Sequence, residues 1–142
     1  MLSHSRTIHV EFGDCDPSGI VFHPHYFAWF DASVHGLLRA AGTTLEDLVD
    51  EFQIAGIPLA ETRLKFHLPA RQGDTLQLTT EVTAIHRCAF DLQHRLLKDG
   101  ILAAEGSETR VWTAFDPAQA RVRAQALPQR MLRLLSGQAG RR

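Results

Sequence analysis

Cysteine is scarce in this chain, and the little there is excludes two classes at once. Cys15 and Cys88 are the only two in 142 residues, too few for a disulfide framework and in no C-x-x-C metal or redox spacing. An excess of either charge is also missing. Fifteen Lys and Arg against 16 Asp and Glu leave a formal net charge of −1, which argues against a broad nucleic-acid or membrane surface. No apolar run approaches the ~18 residues that a membrane span needs. The opening M-L-S-H-S-R-T-I-H-V has no apolar h-region, so nothing in it marks the chain for secretion, and the expected location is cytoplasmic. There are no repeats, linkers or low-complexity segments. The length of 142 fits one domain with a proper core, expected over 1–142 with a frayed tail at 136–142.

What is present is organised by period. Ile8, Val10 and Phe12 alternate with Thr7, His9 and Glu11, which predicts a half-buried strand ending at Gly13. From His25 to Ala41 the step changes to three and four, and Phe27, Phe30, Val34, Leu37, Leu38 and Ala41 make one apolar helix face. Pro24 suits its first turn and Gly42 its stop. Beside that face run a polar stripe, Asp31, His35 and Arg39, and a small-residue stripe, Ala32, Gly36 and Ala40. A shorter helix from about Leu45 to Phe52 follows, capped by Thr43 or Thr44. Alternation then predicts strands at 61–68, 76–83 and Phe90–Leu97. Asp99-Gly100 turns the chain into a last strand, Ile101–Phe115, closed by Asp116-Pro117, and Leu127 to Leu135 reads as a terminal helix.

A strand, a long helix and four strands joined by turns make an α+β domain with a five-stranded antiparallel sheet. One helix is narrow cover for five strands. The sheet is therefore expected to curl around it, and a second subunit to cover what remains.

The densest passage is E-F-G-D-C-D-P-S-G-I-V-F-H-P-H-Y, from Glu11 to Tyr26. It sets two carboxylates, Asp14 and Asp16, just before a helix start. The first N–H groups of a helix lack intrahelical partners and its dipole favours negative charge, which suits a carbonyl oxygen turning anionic. Pro24 has no N–H, so the donors would come from His23, His25 or Tyr26. A carboxylate opposite them could attack an activated acyl group or activate water against it. The residues alone leave other readings open. Aspartates in G-D-x-D-P-S-G are common turn formers. His23 and His25 with the two acids could hold a metal, although no H-E-x-x-H or i,i+4 histidine pair occurs. Cys15 could be a nucleophile but has no base at a recognisable spacing, which favours a packed thiol.

The same stretch, extended through F-A-W-F-D-A-S to residue 33, closely resembles the signature of the 4-hydroxybenzoyl-CoA thioesterase family of hotdog-fold acyl-CoA thioesterases. Weaker similarity runs through I-A-G-I-P at 54–58 and T-A-I-H-R-C-A-F at 83–90. The resemblance implies a five-stranded sheet wrapped around one long central helix. It implies hydrolysis of an aromatic or short-chain acyl-CoA, with no metal or redox cofactor. Asp16 would be nucleophile or general base, and the His23 N–H would polarise the thioester carbonyl. Asp14 would hold the loop, and Tyr26, Trp29 and Asp31 would border the acyl group. Arg87 would meet coenzyme A phosphate, with Arg121 and Arg123 as supplements, because this chain lacks the basic run of aryl-specific members. Homodimers or homotetramers with sites between subunits are implied, without nucleic-acid or membrane partners. A carrier-protein thioesterase and a non-catalytic acyl-CoA binder are the rival functions.

Overall fold

The computed structural model describes residues 1–138. Its elements are β1 (Ser3–His9), α1 (Pro24–Ala40), α2 (Leu45–Phe52), β2 (Leu59–Phe66), β3 (Thr75–Ile85), β4 (Ala89–Lys98), β5 (Ile101–Val111), β6 (Thr113–Asp116), β7 (Arg121–Ala124) and α3 (Gln129–Leu135). The first five strands form one antiparallel sheet in the order β1-β3-β4-β5-β2.

Register decides which side chains meet α1. Leu78 lies opposite Leu96, Leu96 opposite Ala104, and Ala104 opposite Phe66, so one rung of the inner face is apolar from β3 to β2. The next rung runs Thr80, His94, Gly106, Leu64 and is polar at its centre. α1 lies on this inner face and divides the core into two parts. Its first half, through Tyr26 and Phe30, packs with Ile8, Val21, Leu76 and Leu96. Its second half, through Val34, Leu37 and Leu38, packs with Leu48, Trp112, Met131 and Leu135. The cover is therefore α1 with α2 and α3, more than the single long helix expected. It still leaves β2 bare: every residue of that edge strand except Leu64 is exposed.

Local chemistry fixes the helix ends. Thr44, the second of the two expected caps, accepts a hydrogen bond from the Asp47 N–H at 3.0 Å. Gly42 stops α1 at φ +90°, where a side chain would be strained. Of the small-residue stripe only Gly36 is buried, and it admits the His4 ring, 3.3 Å from where a Cβ would stand.

Two expectations are corrected. β1 stops at His9, and Phe12 opens a 3-10 turn (Phe12–Asp14) at 79% exposure instead of pointing inward. A reciprocal pairing of Glu11 and Asp14 with each other's backbone N–H closes that turn and ends the strand. The strand read as Ile101–Phe115 is broken at buried Trp112, whose N–H donates to the Cys88 carbonyl at 2.8 Å and whose carbonyl accepts from Gln125. Asp116-Pro117 accordingly begins a hairpin into β7, with the Ala118 N–H bonded to Asp116 Oδ1. In the expected frayed tail, Gly137 and Gln138 donate to the Leu134 and Arg133 carbonyls, and 139–142 lie outside the described residues.

Candidate active site

The loop from Glu11 to His23 is a stitched structure. Cys15 bridges Val21, Ile20 bridges Arg71, and the Val21 N–H donates to the Ala70 carbonyl at 2.9 Å. Gly19, at φ +84°, makes the tight return that lets the Asp16 N–H reach the Ile20 carbonyl. The two acids differ in what they have left to offer. Asp14 Oδ2 accepts the Glu11 N–H at 2.9 Å, Oδ1 lies 3.1 Å from His25 Nδ1, and its carbonyl accepts the Phe22 N–H. Asp16 Oδ1 accepts both the backbone N–H of Ser18, at 2.8 Å, and its hydroxyl. Among the described residues nothing donates to Asp16 Oδ2. Asp16 is thus a turn former through one oxygen and an open carboxylate through the other.

The helix start is resolved in the same way. The His25 N–H donates to the Phe22 carbonyl and the Tyr26 N–H to the His23 carbonyl, at 2.9 and 3.1 Å. That uses two of the three expected donors locally. The N–H of His23, the residue capping α1, has no acceptor among the described residues.

Asp16, His23 and Tyr26 line one cavity of about 370 Å³, walled by Ile20, Val21, Phe66, Leu68, Pro69 and Ala70. Tyr26 is buried, which pushes its phenol pKa up, and its ring meets the Phe66 ring edge-on at 5.3 Å. Asp16 also borders a second cavity of about 360 Å³, with Phe12, Cys15, Pro17, Gly19 and Gln72. Phe66 carries no site signal in the sequence. It stands on a strand 40 positions beyond Tyr26, and only the sheet order brings it to the helix start.

The other anticipated residues stand elsewhere. Trp29 meets Tyr26 edge-on at 5.4 Å from outside that cavity lining. Asp31 Oδ1 accepts a hydrogen bond from Arg110 Nη2 at 2.9 Å, and its other oxygen is 3.8 Å from His35. Arg87 lines a separate cavity of about 400 Å³ with Arg123, Ala114 and the 124–126 segment. Arg123 reaches that cavity from β7 and holds Asp116 at 3.3 Å, while Arg121 is exposed on the same strand and outside it. No group of three or more His, Cys, Asp or Glu able to hold a metal ion occurs among the described residues.

The family model of the thioesterase-like superfamily matches residues 10–133. The chain belongs to that family. The 4-hydroxybenzoyl-CoA thioesterase of Pseudomonas sp. strain CBS-3 is 31% identical over 133 residues, 89% of this chain and 93% of that one. A solved 4-hydroxybenzoyl-CoA thioesterase, an aspartate-to-asparagine variant complexed with 4-hydroxybenzoyl-CoA, superposes with a TM-score of 0.86 at 28% identity. It covers 95% of this chain and 99% of its own. A gentisyl-coenzyme A thioesterase superposes with a TM-score of 0.78 at 29% identity, over 94% and 99% of the two chains. The fold is accordingly the hotdog fold, its sheet wrapped around α1, and the chain is a thioester hydrolase.

Proposed function

We propose that this thioesterase hydrolyses an aromatic acyl-CoA to the free acid and coenzyme A. The observation that carries the proposal is that Asp16, with Oδ2 unspent, and His23, with its N–H unspent, line one cavity. The thioester carbonyl oxygen accepts the His23 N–H at the positive end of α1, which stabilises the oxyanion as it forms. Asp16 then either attacks the carbonyl carbon and expels the thiolate, leaving an anhydride that water hydrolyses, or takes a proton from a water that attacks instead. Both routes consume one water and release one carboxylic acid and one thiol.

The acyl class follows from the walls. Tyr26 and Phe66 meet edge-on, Trp29 backs Tyr26, and the remaining lining is largely aliphatic, a setting that favours a flat ring. The hydroxybenzoyl and gentisyl thioesters named for the similar structures are of that class. Arg87 and Arg123, converging on one cavity, would meet coenzyme A phosphate. A homodimer completes the arrangement: β2 presents an unpaired edge, and Phe66 on that strand remains 54% exposed beside the site. Among the described residues no helix is long and apolar enough to cross a membrane.

Thiol release over a panel of aryl and aliphatic acyl-CoAs, together with carrier-bound acyl groups, tests the reading. Fastest turnover is expected for hydroxybenzoyl-CoA substrates. Preference for carrier-bound groups would move the substrate to the carrier, and no thiol release from any member would leave a binder. Light scattering on the active enzyme should give a dimer or its multiple, and a monomer would contradict the shared site.

A further inference from the structure

Two arginines on different strands grip the same short segment of α1. From β1, Arg6 donates through Nε to Ser33 Oγ at 2.8 Å and through Nη2 to the Trp29 carbonyl at 3.0 Å. From β5, Arg110 donates through Nη2 to Asp31 Oδ1 at 2.9 Å and through Nη1 to the Ile57 carbonyl at 3.3 Å. The segment gripped, Trp29 to Ser33, is a little over one turn. Between the two arginines Phe30 lies flat on the His94 ring, centroids 4.4 Å apart and planes 4° from parallel. Beneath it Gly106 leaves no room for any other residue: a Cβ there would collide with the Phe30 ring and stand 3.0 Å from the Arg63 carbonyl.

The Arg110 arm has a rigid base. Its Nε donates to Glu108 Oε1 at 2.9 Å, the other Glu108 oxygen is 3.5 Å from His94 Nε2, and His94 Nδ1 is 2.7 Å from Thr80 Oγ1. Burial pushes the Glu108 carboxyl up, yet contact with His94 and Arg110 outweighs it and keeps the group ionised beneath the guanidinium. A lysine in place of either arginine could not fork to two or three acceptors at once.

We propose that Arg6 and Arg110 are positioning residues for the reaction: they set the rotation and axial position of α1, and with it the His23 N–H against Asp16. The inference rests on the catalytic reading given above. His23 precedes Trp29 by six residues, about 9 Å along a helix that transmits a turn or slide rigidly. Displacement of a reacting group by about 1 Å can cost up to ~10² in rate.

The test uses Arg6→Lys, which strands no buried carboxylate, with Arg110→Lys, which keeps a cation beside Glu108. Two readouts are needed on folded full-length protein: kcat and KM for thiol release, and amide hydrogen exchange at 23–27 relative to β3 and β4. Each substitution should speed exchange in that first turn but not in the strands, and lower kcat about tenfold with KM within about twofold. Unchanged exchange in the first turn overturns the grip, whatever happens to the rate. Faster exchange with an unchanged kcat overturns the positioning role. Should the wild type release no thiol at all, the catalytic reading fails on its own, and exchange still decides whether the arginines hold the helix.

Discussion

Two polar regions touch α1, and they use their hydrogen-bonding groups in opposite ways. Under the middle of the helix the row Thr80, His94, Glu108, Arg110 is buried, with hydrogen bonds from Thr80 to His94 and from Glu108 through Arg110 to Asp31 at the helix surface. Between the two halves His94 Nε2 lies 3.5 Å from Glu108 without a hydrogen bond. At the helix start the loop engages both oxygens of Asp14 but leaves one oxygen of Asp16 and the N–H of His23 without partners among the described residues. Buried side chains held by one another in a dry interior hold geometry, because breaking a link strands a polar group. Unspent groups facing a cavity are available to a substrate. The comparison separates residues that hold the helix from residues that do chemistry, although each set contains a carboxylate and a histidine.

The largest effect expected from breaking the chemical side is in rate. Asp16→Asn keeps the Ser18 contacts through its amide oxygen and removes the charge on the open oxygen. It should lose at least ~10² in kcat while still binding acyl-CoA, measured by thiol release and by titration calorimetry.

Breaking the holding side should act on stability. Glu108→Gln leaves Arg110 short of a buried counter-charge and should cost about 3 kcal/mol at neutral pH, read by chemical denaturation. The sign of its pH dependence follows from the folded carboxyl lying below its unfolded value. The Glu108 contribution is complete above the ordinary carboxylate range and fades as pH falls through the folded pKa. The wild type should therefore lose stability in acid more steeply than Glu108→Gln. Parallel acid profiles would remove Glu108 from the holding network.

A smaller effect is expected away from both regions. Arg87→Ala should raise KM for acyl-CoA several-fold with kcat nearly unchanged, the pattern for loss of binding shared by ground and transition states. An unchanged KM would remove Arg87 from phosphate recognition.

How much of this was legible in the sequence depends on distance along the chain. The limits of α1, the Thr44 cap and the Asp99-Gly100 hairpin, where both residues have positive φ, were readable because their causes lie within a few residues. Asp16, His23 and Tyr26 share the stretch that carries the family resemblance, and in the fold all three line one cavity. The interruption at Trp112 was not, because its partners Cys88 and Gln125 come from other segments and the alternation runs on past it. Asp31 reads as an acid near the helix start, and nothing local reveals that Arg110, 79 positions away, takes one of its oxygens. Arg6 and Arg110 carry no local signal either, because their acceptors on α1 lie 23 or more positions away. Phe12 was misplaced because alternation has no means of registering the Glu11–Asp14 turn that ends the strand.

The most direct measurement sets Asp14→Asn beside Asp16→Asn, reading the melting midpoint and kcat of each. Both carry the same change two positions apart in one loop. Asp14→Asn weakens the bond to His25 and should lower Tm by roughly 2–4 °C, the equivalent of about 1 kcal/mol in a domain of this size, with kcat largely retained. Asp16→Asn should show the reverse, a nearly native Tm and a kcat lowered at least ~10². If the two variants lose activity alike, or Asp16→Asn turns over like the wild type, the division between holding and reacting groups is wrong, and Asp16 is a turn residue.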